Sequence, residues 1–299
     1  MLAALRERSQ GARVALVVEG GGMRGAVSGG MALGLHELGL AGAFDAAYGS
    51  SAGALNAMWL VSGRLPERIP TWVDPRLVHA LIRPRRVLRG GPVVDVRTLV
   101  ERRYEELSPG LFSAVLASAT ELHPIATEVT SGAAVDLHAE IADAPSLRLA
   151  LRASAALPLL GGPPVELRGR RLLDAGLSAA IPFRAALADE ATHVLVLRSR
   201  RAGETARPPG RVAGGVTARL LRRLDPAVAQ AFRTRAVREA EDEALPAGHD
   251  ADPGRLPHVL SVRPAPGSPV PGRLERDVGL VAAGLEAGRV AMHAASDGL

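Results

Sequence analysis

"FDAAYGSSAGALNAMWLVSG", residues 44–63, runs from a short apolar stretch through five small residues into apolar positions at helical spacing. It reads as a strand, a tight turn and a helix from Ala52 to about Val61 that Gly63 ends. The stretch before it, "VALVVEGGGMRGAVSGGMALGLHELG" (residues 14–39), has the same plan. Arg13 to Val18 forms a β-branched run, a glycine loop follows, and a helix over Gly25 to Leu38 stops at Gly39. Two such units in succession imply parallel strands joined by crossover helices. The fold class expected is α/β, three layers with a mainly parallel central sheet between helices.

The glycine loop is ambiguous by itself. Gly20, Gly22 and Gly25 fit G-x-G-x-x-G, the dinucleotide fingerprint, but a phosphate cradle and an oxyanion hole share one physics: backbone N–H groups aimed at negative charge near a helix N-terminus. A dinucleotide fold places an acidic residue at the far end of its second strand. Asp45 has about the right separation, but it opens that strand. What closes it is Gly49-Ser50-Ser51-Ala52-Gly53, a match to G-x-S-x-G, in which glycines on either side let the chain turn sharply and lift the central serine above the sheet.

Composition narrows the choices. With 299 residues and 47% hydrophobic content the chain can bury a large core, whereas 3% aromatics supply little surface for stacking nucleic-acid bases. Cysteine is absent, which excludes disulfides and thiolate chemistry. Lysine is absent too, so the formal charge of +5 is carried by arginine, densest at Arg83, Arg85, Arg86 and Arg89 and at Arg219, Arg222 and Arg223. Coding bias in a GC-rich genome is the favoured reading; a surface drawn to anionic lipid headgroups or phosphates is the sharper alternative. The N-terminus shows no secretory signal pattern and no run approaches a membrane span. A cytoplasmic protein, in peripheral contact with an anionic membrane surface, is the expectation.

A serine nucleophile needs a base, and histidine is the usual one. Of the eight histidines, His36, His79 and His293 fall in helical patterns, His193 opens a strand, His123 and His138 flank a hairpin, and His249 and His258 sit in or beside a weakly patterned proline-rich segment. None occupies a loop after a late strand, and each reads as structural. Asp174 offers itself instead, closing a strand in "GRRLLDAGLSAAIPF" (residues 169–183).

Together these motifs resemble the patatin-like phospholipase family over roughly residues 13–198. Gly20-Gly21-Gly22-Met23-Arg24-Gly25 is similar to its G-G-G-x-R-G oxyanion loop, Gly49 to Gly53 to its elbow, Asp174-Ala175-Gly176 to its D-G-G or D-G-A motif, and "ASAALP" (residues 153–158) to its A-S-x-A-x-P helix end. The resemblance implies a serine–aspartate dyad without histidine: Ser51 attacks a lipid ester, Asp174 accepts its proton, and amides of the Gly20–Gly25 loop bind the oxyanion, with Arg24 shaping that region. Neither a metal nor a cofactor is called for. Two departures stand out. Ala175 replaces a glycine where a methyl would crowd a turn of positive φ, and Ala179 and Ala180 replace a frequent "DN", removing a polar surround for Asp174.

The rest of the chain reads as parts of one domain over 1–299, with a helical C-terminal part at about 213–299. Residues 64–113 look like an insertion covering the site, residues 122–138 a hairpin turning at Ser131-Gly132, residues 199–212 a loop, Ala227 to Ala244 a helix, Pro257 to Val262 a strand, and Leu274 to about Ala294 a closing helix. A serine acyl hydrolase of lipid esters, of phospholipase A or lysophospholipase type, is the leading function. A catalytically weak binding or regulatory protein and a Rossmann-type oxidoreductase are the alternatives.

Overall fold

A computed structural model describes residues 11–201, 203–204, 210–252 and 254–297. Eight strands form one sheet: β1 (Val14–Val18), β2 (Ala46–Ser50), β3 (Glu121–Glu128), β4 (Ala134–Asp136), β5 (Val165–Leu167), β6 (Arg170–Asp174), β7 (His193–Leu197) and β8 (His258–Val262). Their order is β5-β6-β3-β2-β1-β7-β8, with β4 paired to β3. Strands β3, β2, β1, β7 and β8 run parallel, and β4, β6 and β5 extend the sheet by antiparallel pairing.

The parallel strands are buried on both faces, which is why they read as unbroken apolar runs. Val14, Leu16 and Val18 of β1 face one cluster, and Ala15 and Val17 the other. The first face is covered by α1 (Gly25–Glu37) and α2 (Ala52–Val61). A short helix, α3 (Pro75–Leu81), follows in the insertion, and α4 (Ala144–Ser154) begins with a capping box between Asp143 and Ser146. The second face is covered by α5 (Phe183–Ala188) and, beyond α6 (Arg211–Arg222), by Leu245 of α7 (Pro226–Asp250). The last helix, α8 (Val278–Asp297), returns to the first face and lies against α1.

Three expectations need correction. The helix expected to end at Ala244 continues to Asp250 and carries Pro246 inside it, its last turns held by Leu245 against the second cluster and by the His249 ring edge-on to Phe183. His249 therefore lies on a helix. The closing helix starts at Val278, because the Asp277 carboxylate accepts the Gly279 and Leu280 N–H groups at 2.9 and 3.2 Å and so caps it there. In the expected loop at 199–212, residues 202 and 205–209 lie outside the described residues, and α6 already begins at Arg211.

Helices α1 and α8 cross in backbone contact. A Cβ on Gly288 would lie 1.9 Å from the Val27 carbonyl oxygen, and one on Gly30 would lie 1.8 Å from that of Leu285. Gly288→Ala should therefore lower the melting temperature, by about 1–3 kcal/mol of overpacking. Gly215→Ala, in α6 where a Cβ meets nothing within 4 Å, should be neutral or stabilise by about 0.5–1 kcal/mol. Thermal melts of the two variants check the pair, and equal behaviour would remove the crossing as the cause.

Candidate active site

The parallel strands release their chains at one end of the sheet, and β3 sets the spacing there. Ser50 at the end of β2 registers with Ile125, and Asp174 at the end of β6 with the next residue, Ala126. Past Ser50 the chain turns at Ser51 with φ 55° and ψ −124°, a conformation costly for a residue with a side chain, and enters α2. The turn is closed by backbone contact: a Cβ on Gly49 would lie 2.3 Å from Ala54 Cα, and one on Gly53 2.3 Å from the Val18 carbonyl oxygen.

Ser51 and Asp174 are both buried and meet directly, Ser51 Oγ donating to Asp174 Oδ2 at 2.6 Å. The other carboxylate oxygen accepts the Gly176 N–H at 2.7 Å. Burial pushes the Asp174 carboxyl above the usual carboxylate range, and those two hydrogen bonds oppose the shift without cancelling it. Among the described residues no histidine bonds to either side chain; His123, for example, pairs with Asp136 at 2.7 Å.

The "ASAALP" stretch binds both residues through the backbone. Ser154 Oγ accepts the Ser51 N–H at 2.9 Å, and the Ala156 carbonyl accepts the Asp174 N–H at 2.9 Å. Ser154 carried no assigned role in the sequence, although its place in a motif matching the family's helix end was the available signal.

The two departures at the acid motif are harmless to the geometry. Ala175 is absent from the positive-φ residues, and its methyl packs against Ile125 and Ala179. Glycine is needed one residue later, since a Cβ on Gly176 would lie 2.8 Å from Asp174 Oδ1. Ala179 and Ala180 contribute through their carbonyls, which accept Ser50 Oγ–H and the Gly20 N–H. The polar surround comes instead from Gly176 N–H and from Thr127, whose hydroxyl donates to the Asp174 carbonyl at 2.9 Å.

In the glycine loop most amides are already engaged. Gly20 donates to Ala180 and Met23 to the Arg273 carbonyl, both at 3.0 Å, Arg24 to Gly21 at 3.3 Å, and Gly25 to the carbonyls of Gly22 and Met23. Among the described residues, Gly21 and Gly22 N–H have no such acceptor, and both residues line the cavity at Ser51. Of the six loop residues expected to bind an oxyanion, Gly21 and Gly22 are thus the two whose amides have no acceptor among the described residues. Arg24 is largely buried behind them, with Nε and Nη2 lacking a hydrogen-bond partner. Its guanidinium is pushed down to about 10 by burial and by Arg273 and Arg200. Asp45 lies at the other end of the sheet, accepting the Val14 N–H at 2.8 Å.

Two clefts meet at Ser51. One is apolar, lined by Leu55, Trp59, Trp72, Ile82, Val94 and Tyr104 among others, so the 64–113 segment does border the site. The other is also lined mostly by apolar side chains, Leu160, Leu177 and Phe232 among them, and is the polar cleft by virtue of the groups it adds: Gly20–Gly22, Asp174, Arg235 and Arg273. Glu121, His123 and Asp189 bring one ligand atom each within 4.8 Å of one another at the opposite sheet end, but Arg13 Nη2 sits 2.9 Å from both carboxylates and supplies their cation.

A family model described as patatin-like phospholipase matches residues 16–187, more than half of the chain and all of the site motifs. The chain belongs to the patatin-like phospholipase family. Comparison with curated proteins gives no match. Patatin-like proteins are lipid acyl hydrolases in general, and the mixed, mostly parallel sheet with flanking helices is the patatin-like α/β/α fold. Among the described residues no helix is long and apolar enough to cross a membrane.

Ser154→Ala would leave the Ser51 N–H buried without an acceptor. We expect a loss of about 1–3 kcal/mol in stability by thermal or denaturant unfolding; an unchanged unfolding midpoint would show that the amide does not depend on Ser154.

Proposed function

We propose that this protein is a serine acyl hydrolase that cleaves lipid carboxylic esters, of phospholipase A or lysophospholipase type, through Ser51 and Asp174. The observation that carries this reading is the 2.6 Å hydrogen bond from Ser51 Oγ to Asp174 Oδ2, buried where an apolar and a polar cleft meet. Ser51 Oγ attacks the ester carbonyl while its proton passes to Asp174 Oδ2. The amides of Gly21 and Gly22 hold the oxyanion, and the alcohol leaves with that proton. Water, deprotonated by Asp174, then releases the acyl group and restores Ser51. One preorganised oxyanion donor is worth about 3–4 kcal/mol of barrier and a positioned base roughly 10²–10⁴ in rate, so two residues and a loop suffice without an imidazole. The α2 N-terminus at Ser51 adds a favourable field for the alkoxide.

The test is intact-mass detection of a fluorophosphonate adduct. We expect one adduct on the wild type, none on Ser51→Ala, and labelling slowed roughly 10²–10⁴-fold in Asp174→Asn. Because the base must be ionised and burial raises its pKa, labelling should fall on acidification at a pH above the ~3.9 of a free aspartate. No adduct on folded wild type would overturn the reading.

Membrane contact is part of the same proposal. Leu88 is 84% exposed and Val87 61%, in a 3-10 helix (Pro84–Arg89) that with exposed Arg83, Arg85 and Arg89 directly follows Leu81 and Ile82 of the apolar cleft. On α6, Val212 and Val216 are exposed beside Arg219 and Arg222, and Thr217 and Leu221 of the same helix border the polar cleft. Apolar tips ringed by arginine suit an anionic lipid surface. Sedimentation with vesicles should increase with anionic lipid, decrease with salt, and weaken about tenfold in Leu88→Asp. Equal binding to neutral and anionic vesicles at low salt would remove the electrostatic contribution.

A further inference from the structure

Two arginines from outside the matched segment line the polar cleft with Ser51, Asp174 and Gly20–Gly22. Arg235 comes from α7 and Arg273 from the segment before α8. Arg273 is fixed by its own backbone, since its carbonyl accepts the Met23 N–H at 3.0 Å and ties it to the glycine loop. Both share Glu239, whose Oε1 lies 3.4 Å from Arg235 Nε and 3.5 Å from Arg273 Nη2. These separations exceed the ~2.7–2.9 Å of a charge-assisted hydrogen bond. Glu239 Oε1 is buried and accepts none among the described residues, while Oε2 is taken by Arg200 at 3.1 Å. One carboxylate is thus divided among three guanidiniums.

The excess of positive charge extends beneath the site. Glu19 is fully buried, and although burial works to raise its pKa, Arg198, Arg200 and Arg24 hold it below the usual carboxylate range. Arg24 Nε and Nη2 and Arg198 Nη1 still have no hydrogen-bond partner. A cation-rich cleft that opens beside a nucleophile favours an anion, and guanidinium forks match phosphate oxygens in pairs.

We infer that Arg235 and Arg273 form an anion subsite, so that the ester cleaved here carries a phosphate of net negative charge on its alcohol side while its acyl chain occupies the apolar cleft. This rests on the acyl-hydrolase reading above. A neutral glyceride offers the two guanidiniums no anion beyond the Glu239 they share, and a zwitterionic headgroup would bring a second cation beside them.

Calorimetry with alkyl probes that contain no carboxylic ester tests this on the wild-type protein. Below its micelle concentration, dodecyl phosphate should bind about tenfold or more tightly than 1-dodecylglycerol or dodecylphosphocholine. Inorganic phosphate should bind more weakly than dodecyl phosphate and compete with it, because it lacks the chain. In Arg235→Gln/Arg273→Gln, and in Arg273→Gln alone should the double variant not fold, the phosphate-to-glycerol affinity ratio should fall toward one, with Arg273→Lys intermediate. Equal affinities in the wild type overturn the subsite; with a fluorophosphonate adduct still forming on Ser51, the hydrolase reading would stand. Selectivity without an adduct overturns the hydrolase reading and the assignment of the phosphate to the ester's alcohol.

Discussion

The site exists because β3 is a common ruler for two segments far apart in the chain. Ser51 and Asp174 are separated by 123 residues, and no local interaction brings them together. Pairing Ser50 with Ile125 and Asp174 with Ala126 does so, within one step of a ladder whose spacing the backbone fixes. A slip of one residue in either pairing would turn the side chains to the opposite face. The Ser154 and Ala156 contacts then lock both backbones from one neighbouring segment, so the hydrogen bond between Oγ and Oδ2 is set by main-chain geometry rather than by side-chain freedom.

A buried carboxylate is expensive, and its cost bears on the chemistry. Raised above its ordinary range by burial, the Asp174 carboxylate is a stronger proton acceptor than an exposed aspartate, which suits the role of base proposed for it. Among the described residues its two oxygens accept one short hydrogen bond each, from Ser51 and from Gly176. Arg273 and Arg235 in the cleft favour the ionised carboxylate and so work against that rise, without cancelling it.

How far the sequence could be read follows from how local each signal is. The elbow, the glycine loop and the first two helices were legible because strand, turn and helix stop lie within a few residues of one another, with Gly39 and Gly63 at positive φ where the stops were expected. Asp174 was legible only through its motif company. Ala175 misled because the backbone conformation of a turn cannot be read from one residue; neither it nor Gly176 is at positive φ, and the tight contact at 176 is with the Asp174 carboxylate. The occupied amides of Gly20 and Met23 were invisible, since their acceptors, Ala180 and Arg273, are distant in sequence. The start of α8 was misplaced because Leu274 continues the apolar period, although it serves the clefts rather than the helix.

The same division explains where specificity resides. Residues 16–187 supply Ser51, Asp174, the glycine loop and most of the apolar cleft, which Arg273 and Leu274 complete. The polar cleft is finished by α6, α7 and the strand-free segment at Arg273, whose carbonyl holds Met23 and whose side chain faces the same cavity. A change at Arg273 reaches the glycine loop through a backbone hydrogen bond and the cavity through a guanidinium. On the proposed reading chemistry and selectivity are coupled there, and a chain that altered its headgroup preference at this position would have to preserve the carbonyl while replacing the charge.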